Sequence, residues 1–126
     1  MTSFRRVSWN DCDPSGLIHY QAPFAWFVDV ELEFLRERGI EWIYGTLPRV
    51  AASATYSRPL RFDDPVAIDL RVVEVGRSSL TYRFTVSGND EEAVSASVTC
   101  VYVEDGRSAP LPDEVRSALE SARDRP

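Results

Sequence analysis

The sequence has no lysine, one histidine, two cysteines and no apolar run of membrane-spanning length, and each shortage removes a kind of chemistry. All 14 basic residues are arginine, so Schiff-base chemistry, pyridoxal chemistry and the P-loop lysine are excluded. With His19 as the only histidine, multi-histidine metal sites are excluded too, and no metal or separate cofactor is expected. A Ser-His-Asp or Cys-His set could use only that ring. Cys12 and Cys100 fall in a loop and a strand of a chain without an export signal, so free thiols are expected. The same missing signal, with no apolar span, gives the expectation of a cytoplasmic protein that needs no membrane. Basic residues are outnumbered by 20 acidic ones, for a net charge of −6, and Arg5-Arg6 is the longest basic run. Nucleic acid is therefore not an expected partner. What remains for catalysis is mainly carboxylate.

What is present fits one α+β domain over residues 1–126, long enough for a real core and too short for two. Residues 22–38 form the longest helical candidate, with Pro23 in its first turn and Gly39 as its stop signal. On a helical wheel, Asp29, Glu33, Arg36 and Glu37 share one polar strip, while Phe24, Phe27, Val28, Val30, Phe34 and Leu35 cover the rest. So wide an apolar surface predicts a helix wrapped on several sides. Glu31 breaks the pattern, and a carboxylate there must be paired, neutralised or useful. Alternation predicts strands over 4–9, 50–57, 66–75, 79–87 and 93–103, the last three as an antiparallel meander, with a short helix from Asp113 to about residue 123. One helix and five strands describe a curved antiparallel sheet around a buried helix. Its open edges predict self-association.

The loop Asp11-Cys12-Asp13-Pro14-Ser15-Gly16, between the first strand and the helix, holds two carboxylates. An EF-hand reading fails at Pro14 and at Ala22, where a bidentate glutamate is needed. An aspartate-nucleophile phosphatase reading fails because the strand pattern is antiparallel and the chain lacks lysine. The reading that stays is a helix-entry turn in which Asp and Ser satisfy backbone donors and Gly16 takes positive φ.

Asp11-Cys12-Asp13-Pro14-Ser15-Gly16-Leu17-Ile18-His19-Tyr20 resembles the loop of the hot-dog fold acyl-CoA thioesterases of the 4-hydroxybenzoyl-CoA thioesterase type. Trp26-Phe27, Phe34-Leu35-Arg36-Glu37-Arg38-Gly39, Tyr56 to Pro65 and Val75 to Ser79 are similar to the segments that follow in that family. The resemblance implies a thioester hydrolase with Asp13 as nucleophile or general base and the Tyr20 backbone N–H polarising the thioester carbonyl. It implies a site shaped by Gly16 and flanked by His19, with coenzyme A arriving as part of the substrate. Arg77 and Ser78 would meet its phosphates across a homodimer or homotetramer, with Arg58 and Arg61 as further contacts. Phe24, Trp26 and Phe27 could line an apolar acyl group.

This chain has Ala22-Pro23 where the family has Asn-Tyr, and Glu31 where a basic residue is common. Glu31 is thus a second candidate carboxylate, or else one half of an ion pair with Arg38 or an arginine of the sheet. Asp11 reads as a turn cap, and His19 as structural or as a neighbour of the site. An acyl-carrier-protein thioesterase and a non-catalytic acyl-thioester binding module remain as alternatives to acyl-CoA hydrolysis.

Overall fold

The computed structural model describes residues 1–123, so the last three residues of the expected domain lie outside it. Strand β1 (Thr2–Arg6) leads through a 3-10 turn (Trp9–Asp11) and a loop into helix α1 (Ala22–Glu37). A 3-10 segment (Glu41–Thr46) follows, then β2 (Arg49–Tyr56), β3 (Pro65–Val75), β4 (Ser79–Gly88) and β5 (Glu91–Val101). A two-stranded hairpin, β6 (Val103–Glu104) and β7 (Arg107–Ser108), precedes helix α2 (Asp113–Ala122). The five long strands form one sheet in the order β1-β3-β4-β5-β2, every pair antiparallel. This is the expected hot-dog arrangement.

The meander β3–β4–β5 is local in sequence, and its turns explain its register. Asn89 and Asp90 both take positive φ, 53° and 62°, in a two-residue connection whose twist suits an antiparallel hairpin. At the other end, a Cβ on Gly76 would stand 2.6 Å from the Ser79 hydroxyl, which would have to turn aside to admit it.

Helix α1 packs its aromatic side on the sheet. Phe27 stacks on Phe84 with ring centroids 4.3 Å apart, and Phe34 meets Tyr82 edge-on at 6.2 Å. Trp26, Val30 and Leu35 are buried with them. The helix is not wrapped all round, however: Phe24 is only half-buried and Val28 is exposed. Helix α2 lies outside, as expected, held by the buried stripe Val115 and Leu119.

Two strands differ from the sequence expectation. β1 ends at Arg6 because Val7 turns into the core and exchanges backbone hydrogen bonds with Asp63 and Asp64. The next residues then form the 3-10 turn rather than more strand. β2 has the expected alternation but buries neither face; only Ala54 is partly covered. It is an edge strand that α1 reaches at its first residue, Arg49, and its outer backbone is unpaired among the described residues.

Candidate active site

The loop after β1 is a small hairpin whose two arms pair with each other. Cys12 bridges Ile18, the Asp13 N–H donates to the Leu17 carbonyl at 2.9 Å, and the His19 N–H donates to the Asp11 carbonyl at 2.9 Å. Gly16 turns the tip at φ +84°, where a Cβ would be strained. The second arm is stitched to the segment before β3 by Ile18 N–H to Leu60 carbonyl and Phe62 N–H to Gly16 carbonyl, 3.0 and 3.1 Å. Asp11 anchors the base: its Oδ2 accepts from the Ser8 N–H at 2.8 Å and the Ser8 hydroxyl at 2.9 Å. Burial pushes the Asp11 carboxyl up, but the Ser8 donors, with Trp26 and Arg5, outweigh it and hold it below its ordinary value. This carboxylate is committed to the turn.

Asp13 stands at the exposed tip. Its Oδ1 accepts from the Ser15 hydroxyl and, at 2.8 Å, from the Ser15 N–H. These donors stabilise the charged form and hold the carboxyl below its ordinary value, with a smaller contribution from His19. Oδ2 accepts no hydrogen bond among the described residues. Asp13 opens onto a cleft of 460 Å³ walled by Trp9, Cys12 and Pro14.

Tyr20 lies in the turn that starts α1. Its N–H makes no backbone hydrogen bond among the described residues, and its side chain is exposed. It lines a second cleft, of 290 Å³, with Leu17, Ile18, Tyr56, Arg58 and Leu60. In the single chain, then, Asp13 and Tyr20 share one hairpin but line neighbouring clefts. His19 sits between them with Nε2 3.3 Å from the Asn10 carbonyl oxygen, an anchoring contact.

The remaining expected contacts are dispersed. Arg58 is ion-paired with Glu91. Arg61 is exposed beside the hairpin, bridged to Leu17, its N–H on Asp64 at 2.8 Å. Arg77 and Ser78 occupy the β3–β4 turn, at the other end of β3 from the hairpin, roughly 30 Å away at the usual rise per residue. That turn is fixed by Arg116 of α2, whose Nη2 donates to the Gly76 and Arg77 carbonyls at 2.9 Å each. Within one protomer the turn does not approach Asp13.

Glu31 is buried and ion-paired with Arg49 of β2, an arginine of the sheet rather than Arg38. Arg49 is held in turn by the Leu47 carbonyl at 2.9 Å, the Cys100 sulfur at 3.0 Å and the face of Tyr44. Burial pushes the Glu31 carboxyl up against the pull of Arg49, and burial, then Glu31, pushes the Tyr82 phenol well above its ordinary value. Cys100 is raised to about 11, chiefly by burial, so it is an inert thiol. The pair closes one end of an apolar pocket of 140 Å³ lined by Phe24, Phe27, Val28, Phe84 and Val98. Trp26, expected as a possible lining residue, is instead fully in the core. Arg49 lies just outside the strand predicted over 50–57, and Tyr56 is marked only by that strand's alternation and by the family-like segment Tyr56 to Pro65; neither signal reveals cross-element partners.

A profile of the thioesterase-like superfamily matches residues 7–119. A 1,4-dihydroxy-2-naphthoyl-CoA hydrolase of Prochlorococcus marinus (strain NATL2A) is 28% identical over 112 residues, covering 79% of this chain and 72% of its own. Among solved structures, a thioesterase from Thermus thermophilus complexed with coenzyme A and Zn superposes with a TM-score of 0.90 at 27% identity, over 99% of this chain and 95% of that one. A hypothetical protein from Aquifex aeolicus gives a TM-score of 0.87 at 27% identity, over 94% of this chain and 98% of its own. Likeness of fold and a family match that spans the hairpin, the helix and the whole sheet agree: the chain belongs to the thioesterase-like superfamily, with the hot-dog fold.

Proposed function

We propose that the protein hydrolyses acyl-CoA thioesters, with Asp13 as the reactive carboxylate and the Tyr20 N–H as donor to the developing oxyanion. The observation that carries this reading is the geometry of Asp13: a carboxylate held through Oδ1 by the Ser15 donors, with Oδ2 free of hydrogen bonds among the described residues, on a residue that lines a cleft. Asp13 either attacks the carbonyl carbon directly or takes a proton from the water that does so. In both cases the C–S bond breaks, water supplies the new acid oxygen and the thiol takes up a proton. A coenzyme A thiolate is a good leaving group, so a site with a single histidine suffices. A backbone N–H at a helix entry suits the oxyanion because the partial positive charge there is fixed in place.

The acyl group is best accommodated in the pocket along α1. At 140 Å³ it is close to an engineered apolar cavity of about 150 Å³ that admits benzene. This favours a single aromatic ring or a short branched acyl group over a long chain. The relatives' names, a naphthoyl-CoA hydrolase and a thioesterase with bound coenzyme A, support the thioester class.

A homodimer would complete the site. The outer edge of β2 is unpaired, and Val50 and Val28 are exposed there and on the flank of α1. Two-fold antiparallel pairing of β2 edges reverses the partner's sheet, which places the partner's β3–β4 turn at the end where this chain carries Asp13. The turn residues Arg77 and Ser78 could then serve as phosphate contacts that one protomer cannot supply. The expected mass by sedimentation equilibrium is a dimer or a tetramer built from it, shifted toward monomer by Val50→Lys. An unchanged assembly in that variant would remove β2 as the interface.

Thiol release from benzoyl-, isobutyryl-, octanoyl- and palmitoyl-CoA tests the activity. Turnover of the first two, with kcat/KM falling for the long chains, is the expected result. Hydrolysis of the same acyl groups only from a carrier protein would replace coenzyme A as the carrier, and no turnover on either would leave a binding module.

A further inference from the structure

We infer that Tyr56, on β2, is a positioning residue for a second oxyanion donor beside the Tyr20 N–H, the Gln21 N–H, which makes no backbone hydrogen bond among the described residues: its hydroxyl holds the peptide that links Tyr20 to Gln21 in the orientation the reaction needs. The inference rests on the thioesterase reading above and assigns a role to a residue outside the loop.

The His19-Tyr20-Gln21-Ala22 segment is a turn closed by the Ala22 N–H on the His19 carbonyl at 3.0 Å. Gln21 has φ −88° and ψ −12°, the values of the third residue of a type I turn. The first backbone bond into the helix, Phe24 N–H to Gln21 carbonyl at 3.1 Å, bypasses the Tyr20 carbonyl. That oxygen receives no backbone N–H among the described residues. It accepts a hydrogen bond from the Tyr56 hydroxyl instead.

The consequence follows from peptide planarity. All peptide bonds described are trans, so the Tyr20 carbonyl and the Gln21 N–H point in opposite directions. In a type I turn the N–H groups of the two central residues point back along the helix axis, here toward the hairpin that carries Asp13. Type I and type II turns differ chiefly by a flip of the central peptide, which is the Tyr20–Gln21 peptide. Gln21 already disfavours the flipped form, which needs positive φ at its position. Tyr56 adds a tether that suppresses smaller rotations and is lost when the peptide turns over.

The tether joins the two elements that bound the second cleft, since Tyr20 and Tyr56 both line it. Burial and the neighbouring Tyr20 raise the Tyr56 phenol above its ordinary value, so the hydroxyl stays protonated and available as a donor through neutral pH. The donor sits on the edge strand proposed above as the dimer interface, so the same strand would set both assembly and site geometry.

Tyr56→Phe keeps the ring and removes the tether. Losing one such hydrogen bond is expected to lower kcat about five- to tenfold, with KM changed less than about twofold and the thermal midpoint lowered by no more than a few degrees. The second readout is the carbonyl stretch of a ¹³C-labelled benzoyl-CoA bound to the Asp13→Asn variant, whose slowed turnover lets the bound thioester be recorded on rapid mixing. The band should lie at lower frequency than in water, and Tyr56→Phe in that background should return most of the shift. An unchanged kcat and band in Tyr56→Phe overturns the inference alone. So does a rise in KM at constant kcat, which would make the hydroxyl a substrate contact. If wild type hydrolyses no thioester and shifts no carbonyl band, the thioesterase reading itself falls and the role of Tyr56 with it.

Discussion

Replacing Asp13 by asparagine is expected to lower kcat on the best acyl-CoA substrate by at least about a hundredfold, the scale of a lost acid-base or nucleophilic contribution. The substitution keeps the shape, and the amide oxygen can still accept from the Ser15 N–H and hydroxyl, so the hairpin should persist. KM should change little. The pH profile supplies an independent check. The Ser15 donors, and after them His19, hold the Asp13 carboxyl below its ordinary value, and the reaction uses the ionised form. The acid limb of the wild-type rate should therefore lie below the pH expected of an unperturbed aspartate. Ser15→Ala removes the hydroxyl donor and should move that acid limb upward. A limb that stays in place would mean that another group titrates. Full activity in Asp13→Asn would remove Asp13 from the chemistry and make Glu31 the carboxylate to test.

The largest expected effect on stability is at Arg49. Arg49→Met leaves Glu31, 3% exposed, without its cation, and breaking a buried pair in this way typically costs about 3–5 kcal/mol. The pH dependence has a definite sign. A carboxyl whose folded pKa lies above its unfolded value favours folding most when protonated; that contribution is present below the unfolded pKa and is lost as pH rises through the folded one. Burial already raises Glu31 in the wild type, against the pull of Arg49, and without Arg49 the opposing pull is gone. The loss in Arg49→Met should therefore be larger at pH 8 than at pH 5, measured by urea unfolding at one fixed protein concentration. Adding Glu31→Leu should recover most of the loss, because an apolar pair in place of a buried ion pair is often neutral. If the double variant stays as unstable as the single one, the contacts of Arg49 with Leu47 and Tyr44, which anchor the segment leading into β2, rather than the pair with Glu31, carry the stability.

Much of the architecture was legible because it is local. The period of α1, its Pro23 entry and its Gly39 stop, and the alternation of β3, β4 and β5 with short turns between them, each depend on neighbours in sequence. The same holds for the hairpin tip: Asp13 and Ser15 make their contacts with each other and Gly16 supplies the turn's positive φ, so their spacing foretells their geometry. The end of β1 was not legible, since Val7 is drawn inward by Asp63 and Asp64, more than fifty residues away. A helical wheel treats α1 as if it met a uniform core, and so buried Val28, which the sheet leaves uncovered.

By itself, the sequence determined one long helix, a short C-terminal helix and five strands with an antiparallel meander among the last three, left mainly carboxylates as the side chains available for chemistry, and placed Asp13 in a turn. Only the tertiary structure decided that Glu31 pairs with Arg49, that Tyr56 reaches the Tyr20 carbonyl, and that Arg77 lies at the far end of the sheet from Asp13. The physical reason is the same in each case. These relations join residues on different elements, and their energies depend on how those elements cross, which no periodicity along the chain records.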